Sequence, residues 1–220
     1  MWALDLFLPE RCGVCELPGD GLCDACRQAL IRLVPPVCDR CGSPGPWPVL
    51  RCAECAGRRL AFVEARSAIV YDARARAFVR SWKERGRRRL AREAALLVAE
   101  TVPRPQVECL VPVPGDPERA WRRGDVPARA LTGELASIWD IAAIEALERI
   151  RALPRQRGLS LDARRRNVRD SVVARRSVPA DVCIVDDVYT SGATVDACAR
   201  ACRRVGARRV RVVTLARAVR

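Results

Sequence analysis

The 220-residue chain reads as an α/β protein, a doubly wound and mostly parallel sheet preceded by a small N-terminal module held together by metal. Three observations lead there. Eight cysteines fall into four Cys-x-x-Cys pairs within residues 12–55. Beyond residue 60, apolar runs of strand length alternate with helical stretches, the pattern of β-α-β units. One of those strands ends in paired aspartates, followed by a Thr/Ser/Gly run and a helix.

The pairs are Cys12/Cys15, Cys23/Cys26, Cys38/Cys41 and Cys52/Cys55. Each sets two thiolates on one turn, within reach of a single tetrahedral Zn²⁺ at about 2.3 Å. Two pairs complete a closed four-thiolate site, so the eight make two structural Zn²⁺ sites with no position left for catalysis. Gly13, Pro18, Gly21, Gly42 and Pro44 break up helices here, and so short a segment needs metal for stability. A redox Cys-x-x-Cys would need a thioredoxin-like strand and helix, and disulfides do not suit a reducing compartment. Pairing in chain order leaves spacers of 7 and 10 residues, whereas cross-bracing leaves 22 and 25. Spacing alone leaves both open.

From about Phe62 the alternation begins. Arg66–Tyr71 reads as a strand, and Ala73–Val102 as helical with an interruption near Gly86. Val107–Val113 is a buried strand ended by Pro112 and Pro114, Pro127–Asp140 is helical, and Ile144–Leu147 suits a short strand. A polar segment follows, then a strand at Val182–Val185, a helix at Ala193–Val205 and a strand at Val210–Leu215. The expected division is residues 1–60 and 61–220. Cys109, Cys183, Cys198 and Cys202 fall in these apolar elements and read as small core residues.

Composition closes several classes. There is no histidine, so every mechanism with a histidine base is excluded. No apolar run approaches the length of a membrane span, and Met1–Pro9 lacks the basic start of a signal peptide, so a cytoplasmic protein is expected. The formal net charge is +14, and Lys83 is the only lysine. Basic groups cluster at residues 80–92, 149–169 and 200–211. On a helix Arg85, Arg88, Arg89 and Arg92 share a face, which with Lys83 forms a candidate phosphate-contacting row. Single-stranded DNA is the expected polyanion, held by backbone charge with Trp82 or Trp121 as a stacking platform.

The strand tip carries the chemistry. Val182-Cys183-Ile184-Val185 leads into Asp186-Asp187-Val188-Tyr189-Thr190-Ser191-Gly192-Ala193-Thr194. Paired carboxylates at a strand end accept hydrogen bonds from vicinal ribose hydroxyls, directly or through Mg²⁺. Hydroxyls, a glycine and the free N–H groups of a helix start are the parts of a phosphate cradle.

This stretch resembles the phosphoribosyl diphosphate (PRPP) motif of type I phosphoribosyltransferases. With the cysteine pairs in front, the whole chain resembles the ComF family, which joins a double zinc ribbon to a phosphoribosyltransferase-like domain and is linked to DNA uptake in natural transformation. Val111-Pro112-Val113-Pro114 with Arg119 and Arg123-Gly124 is similar to the family's diphosphate-loop region. Gln156, Gly158-Leu159-Ser160, Arg164 and Asn167-Val168 match its mobile hood, and Trp82-Lys83-Glu84-Arg85-Gly86 resembles its Leu-Lys-Tyr-Arg-Gly segment.

The resemblance implies that Asp186 and Asp187 bind the ribose hydroxyls, as the catalytic acid pair if the site turns over. Thr190, Ser191, Gly192, Ala193 and Thr194 would hold the 5-phosphate, and Pro114 and Arg119 would face the diphosphate. It implies Mg²⁺ with PRPP, and partners among DNA-uptake proteins such as a helicase. Where the family shows Arg-Gly-Phe/Tyr-Asn-Gln, this chain has Arg123-Gly124-Asp125-Val126-Pro127, a change that bears on turnover more than on ribose-phosphate binding. Three functions stand side by side. One is a PRPP-binding, single-stranded-DNA-binding transformation protein, another a transferase acting on a nitrogen acceptor, and the third a zinc-ribbon adaptor with a vestigial ribosyl site.

Overall fold

Five strands pair in parallel, in the spatial order β1 (Glu64–Val70), β7 (Arg209–Arg217), β6 (Asp181–Tyr189), β2 (Cys109–Pro112) and β3 (Ala142–Ala143). The computed structural model describes residues 11–19, 21–84, 89–115, 126–150 and 171–219. After α1 (Asp24–Ala29), the helices are α2 (Ala73–Glu84), α3 (Leu90–Thr101), α4 (Pro127–Trp139) and α5 (Ala193–Arg204). From β2 the chain steps outward to β3, and from β6 it steps the other way to β7. The reversal lies between β2 and β6, and a doubly wound sheet binds ligands beyond the carboxyl ends of its strands at such a point.

The period of two along β6 sorts its side chains between two cores. Cys183 and Val185 pack with Phe78, Leu97, Leu131 and Leu135 of α2–α4. Val182 and Ile184 pack with Val195, Cys198 and Cys202 of α5. Each fully buried leucine contributes roughly 2 kcal/mol. Cys109, Cys183, Cys198 and Cys202 are all buried, as their apolar setting implied, and burial pushes the Cys109 thiol up to about 11.

The N-terminal module straddles the β1 edge of this sheet. Cys12, Leu22 and Leu30 join the core on the α3 face, while Cys38, Cys41 and Cys55 join the core on the α5 face. The connector between the halves runs along β1, with Leu33 donating to Ala68 O and Val70 to Ile31 O, both at 2.8 Å. Gly42, at φ +70°, lies so close to β1 that a Cβ there would sit 2.5 Å from the Ala65 carbonyl.

The elements differ from the sequence reading in three places. The strand expected at Ile144–Leu147 is instead a gap between two others. β3 ends at Ala143, and β4 (Leu147–Arg149) leaves the main sheet to pair antiparallel with β5 (Val172–Ala174), part of the segment read as polar. β6 runs on through the acid pair to Tyr189, because β7 continues alongside it to Arg217. No helix among the described residues is long and apolar enough to cross a membrane.

Candidate functional site

The cysteines resolve into two clusters, Cys12/Cys15/Cys23/Cys26 and Cys38/Cys41/Cys52/Cys55, whose sulfurs all lie within 4.8 Å of one another in each. Pairing therefore follows chain order. Tetrahedral zinc with 2.3 Å bonds requires sulfurs about 3.8 Å apart. The observed separations are 3.8 Å for Cys15–Cys23, 3.7 Å for Cys38–Cys55 and 3.4 Å for Cys41–Cys52. Backbone N–H groups point at the sulfurs, Val14 to Cys12 Sγ at 3.5 Å and Cys52 to Cys38 Sγ at 3.3 Å. Burial pushes the Cys12 thiol up, but N–H donors from residues 14, 15 and 23 outweigh it and bring it down to about 6. The donor sets fit structural Zn²⁺.

At the switch point, β6 delivers Asp186 and Asp187 to the end of the sheet. Asp186 Oδ1 accepts from the Asp187 N–H at 2.9 Å, and Asp187 Oδ1 from the Val188 N–H at 2.8 Å, which fixes both carboxylates. Asp187 is buried and ion-paired with Lys83 Nζ from the last turn of α2. Burial raises the Asp186 carboxyl to about 6, and the charges of Lys83 and Arg149 restrain the rise.

Thr190–Thr194 turn from β6 into α5. Gly192 adopts φ +72°, and a Cβ there would run into the Tyr189 hydroxyl and ring, so glycine is required on two counts. Ser191 Oγ accepts from the Ala193 N–H at 3.4 Å, and Arg58 donates to the Ser191 carbonyl at 2.7 Å. Below the loop, Asp196 Oδ1 accepts from the Ala61 N–H at 2.6 Å, anchoring α5 to the chain leaving the cysteine module.

Beside the acid pair, past the end of β2, lies a cavity of about 200 Å³ lined by Pro114, Gly115, Val126, Arg129, Glu148 and Arg149, among others. Arg149 Nε donates to the Pro114 carbonyl at 3.4 Å, so a strand-end arginine lines the cavity, and its charge acts on Asp186. In the sequence it was only one member of a charge cluster. Arg119, Gln156, Ser160, Arg164 and Asn167 lie outside the described residues, as do Arg85, Arg88 and Trp121.

Of the candidate nucleic-acid row, Arg89 precedes α3 and Arg92 lies exposed on it, 3.6 Å from Glu134. Lys83 does not join them, since it is turned to Asp187. Trp82 is not a stacking platform. It is only 3% exposed, on the α2 face that packs into the core. The 200–211 cluster is largely occupied, with Arg200 paired to Asp196, Arg209 to Asp181 and Arg211 to Glu64, and with Arg203 and Arg204 bonded to backbone carbonyls.

Residues 3–58 match the family of double zinc ribbon domains. DNA utilization protein YhgH of Salmonella typhi is 30% identical over 230 residues, covering 96% of this chain and 99% of that protein. Competence protein F of Haemophilus influenzae is 28% identical over the same shares of both chains. Among solved structures, the allosteric regulatory enzyme of purine biosynthesis overlaps 56% of this chain at 23% identity and a TM-score of 0.38, and this chain spans 24% of that enzyme's length.

Proposed function

We propose a function from one premise, that the chain belongs to the ComF family, matched along nearly its whole length. The protein acts in the uptake or utilisation of DNA, binds PRPP or a related ribose phosphate at the end of β6, and binds single-stranded DNA through exposed arginines. The observation that carries the ribose-phosphate reading is the acid pair at the switch point, Asp187 buried and Asp186 half-buried, continuous with the glycine-turned loop of Thr190–Thr194.

In this reading Asp186 and Asp187 accept the ribose hydroxyls, with Lys83 balancing the charge of the pair. The loop N–H groups and hydroxyls take the 5-phosphate, and the cavity at Pro114 and Arg149 takes the diphosphate. A Mg²⁺ bound with the diphosphate would be held through one or two carboxylates and would offset the diphosphate's charge. Asp186 would be the carboxylate to hold it, because Asp187 already carries Lys83. Calorimetry of PRPP with and without Mg²⁺ tests this on the zinc-loaded chain. Saturable binding that is lost in Asp186→Asn/Asp187→Asn supports the site, and absence of binding removes it.

For DNA, Arg89 and Arg92 with Arg85 and Arg88 supply the backbone contacts. The log of affinity for a single strand then falls with log salt by about 0.7 per phosphate contact. Charge reversal at Arg89 and Arg92 lowers both the affinity and the slope, and a salt-independent affinity would sink the reading. The cavity between Arg129 and Arg149 also favours a second reading, transfer of the phosphoribosyl group to a nitrogen acceptor. Diphosphate release from PRPP over a panel of bases tests it.

A further inference from the structure

Arg217, at the end of β7, has the largest of the fully buried side chains among the described residues. Its guanidinium donates to the Cys41 carbonyl at 2.7 Å, lies 3.6 Å from Cys41 Sγ, and pairs with Glu54 Oε2 at 2.7 Å. Its other face lies over the ring of Tyr189, 4.5 Å from the centroid. Phe62 meets that ring edge-on at 6.4 Å. The Tyr189 hydroxyl in turn occupies the space that a side chain on Gly192 would need.

A buried guanidinium is retained only where opposite charge surrounds it. Zinc bound by four thiolates carries net negative charge, and Glu54 adds to it. With zinc bound, Arg217 would stand beside the second site as its counter-ion, and the outer partners of a metal site are held in fixed orientation with its ligands. The tie is repeated at the module's edge, where Arg58, just past Cys55, donates to the Ser191 carbonyl. The first zinc site has a different neighbourhood, with Arg27 bonded to Glu93 and Glu100 of α3 on the opposite face of the sheet.

We infer that Arg217 is a positioning residue that couples the second zinc site to the ribose-phosphate site. The Cys38/Cys41/Cys52/Cys55 cluster and Glu54 hold the guanidinium, the guanidinium holds Tyr189, and Tyr189 fixes the turn at Gly192. The inference rests on reading Thr190–Thr194 as the phosphate loop. It makes the N-terminal module part of the ligand site, through its second half only.

The test uses the full zinc-loaded chain labelled with 3-fluorotyrosine, whose two tyrosines, Tyr71 and Tyr189, give two ¹⁹F resonances. Zinc content and affinity for PRPP and ribose 5-phosphate are measured alongside. Arg217→Met is expected to weaken both ligands about tenfold, within the usual range for coupled sites. It shifts the Tyr189 resonance well beyond that of Tyr71, whose backbone N–H donates to the Arg217 carbonyl at 2.7 Å but whose ring lies beside Arg76. Arg217→Lys restores part of the affinity, as a merely space-filling role would not require. Cys52→Ser reproduces both effects and Cys15→Ser neither. Wild-type affinity in Arg217→Met, or equal losses from Cys15→Ser and Cys52→Ser, would overturn the coupling. If the wild-type chain binds neither ligand, the ribose-phosphate reading fails by itself. The coupling then stands or falls on whether the Tyr189 resonance responds to Cys52→Ser.

Discussion

Lys83 and Asp187 form an ion pair that joins α2 to the tip of β6, and this lysine is the only one in the chain. Every other basic side chain is an arginine, which favours flat, bidentate contacts. Lysine instead brings a compact charge on a flexible stem to one carboxylate oxygen. The Lys83 side chain is 30% exposed and that of Asp187 10%, so the pair sits at the floor of the site rather than on its rim.

Removing one partner of a half-buried pair leaves a carboxylate without its counter-charge. Lys83→Met is expected to destabilise the fold by about 2 kcal/mol. Adding Asp187→Asn should recover most of that loss, since the stranded charge is then gone. Urea unfolding of the two single variants and the double variant measures the coupling. A Lys83→Met chain as stable as wild type would mean that the pair contributes nothing.

Asp186 sets a pH dependence. Its folded carboxyl titrates at about 6, above the ordinary unfolded value of about 3.9. Between those values the folded state holds the proton more tightly, so this group's contribution to stability falls as pH rises from about 4 to about 6. Ribose binding at the proposed site would run the other way, because the ionised carboxylate is the better acceptor for hydroxyls. Affinity for ribose 5-phosphate should fall about tenfold between pH 7 and pH 5, as roughly nine-tenths of Asp186 becomes protonated. Asp186→Asn serves as the control, since it keeps the titration of the ligand's own phosphate. In Lys83→Met the midpoint moves above 6, because Lys83 is one of the charges restraining it. Calorimetry across this range reads both shifts, and superposable wild-type and Asp186→Asn profiles would sink the assignment.

The features legible in the sequence were those written in adjacent residues. Cys-x-x-Cys pairs and a strand running into Asp186-Asp187 and Thr190–Thr194 are local patterns, and both survive intact in the fold. Pairing across the sheet was not legible. Lys83 meets Asp187, and Arg217 meets Cys41 and Tyr189, only because the topology brings distant elements to one end of the sheet. Arg217 lies beyond the strand read at Val210–Leu215, and its partners Cys41 and Glu54 come from the second zinc cluster, far away in sequence. Trp82 was misread for a related reason. It lies in a run of basic residues, but Phe78 and Trp82 are one helical turn apart and share the buried face of α2. β4 and β5 each span three residues, too few for an alternation to show.

The order of zinc pairing gives a clean test by stoichiometry. Cys12 and Cys23 belong to one cluster in the structure, whereas a cross-braced arrangement would assign them to different sites. Cys12→Ser/Cys23→Ser should therefore lose one zinc of two, and native mass spectrometry counts the metals directly. Cys12→Ser/Cys38→Ser should lose both. The opposite pair of results would establish cross-bracing.

Gly192 is tightly constrained in the Thr190–Thr194 turn. A left-handed backbone costs alanine about 1–2 kcal/mol relative to glycine, before any clash is counted. Here the added methyl also meets the Tyr189 ring, which is itself held between Arg217 and Phe62 and has little room to yield. For a chain of this length, each kcal/mol lowers Tm by about 2–4 °C. Gly192→Ala should therefore unfold at least about 4 °C below wild type while retaining both zincs, and its affinity for ribose 5-phosphate should fall further than its stability. Tyr189→Ala in the same chain opens the space but leaves the backbone strain, so it should recover part of the Tm without restoring binding. If Gly192→Ala bound ribose 5-phosphate as tightly as wild type, the turn would not be the phosphate cradle.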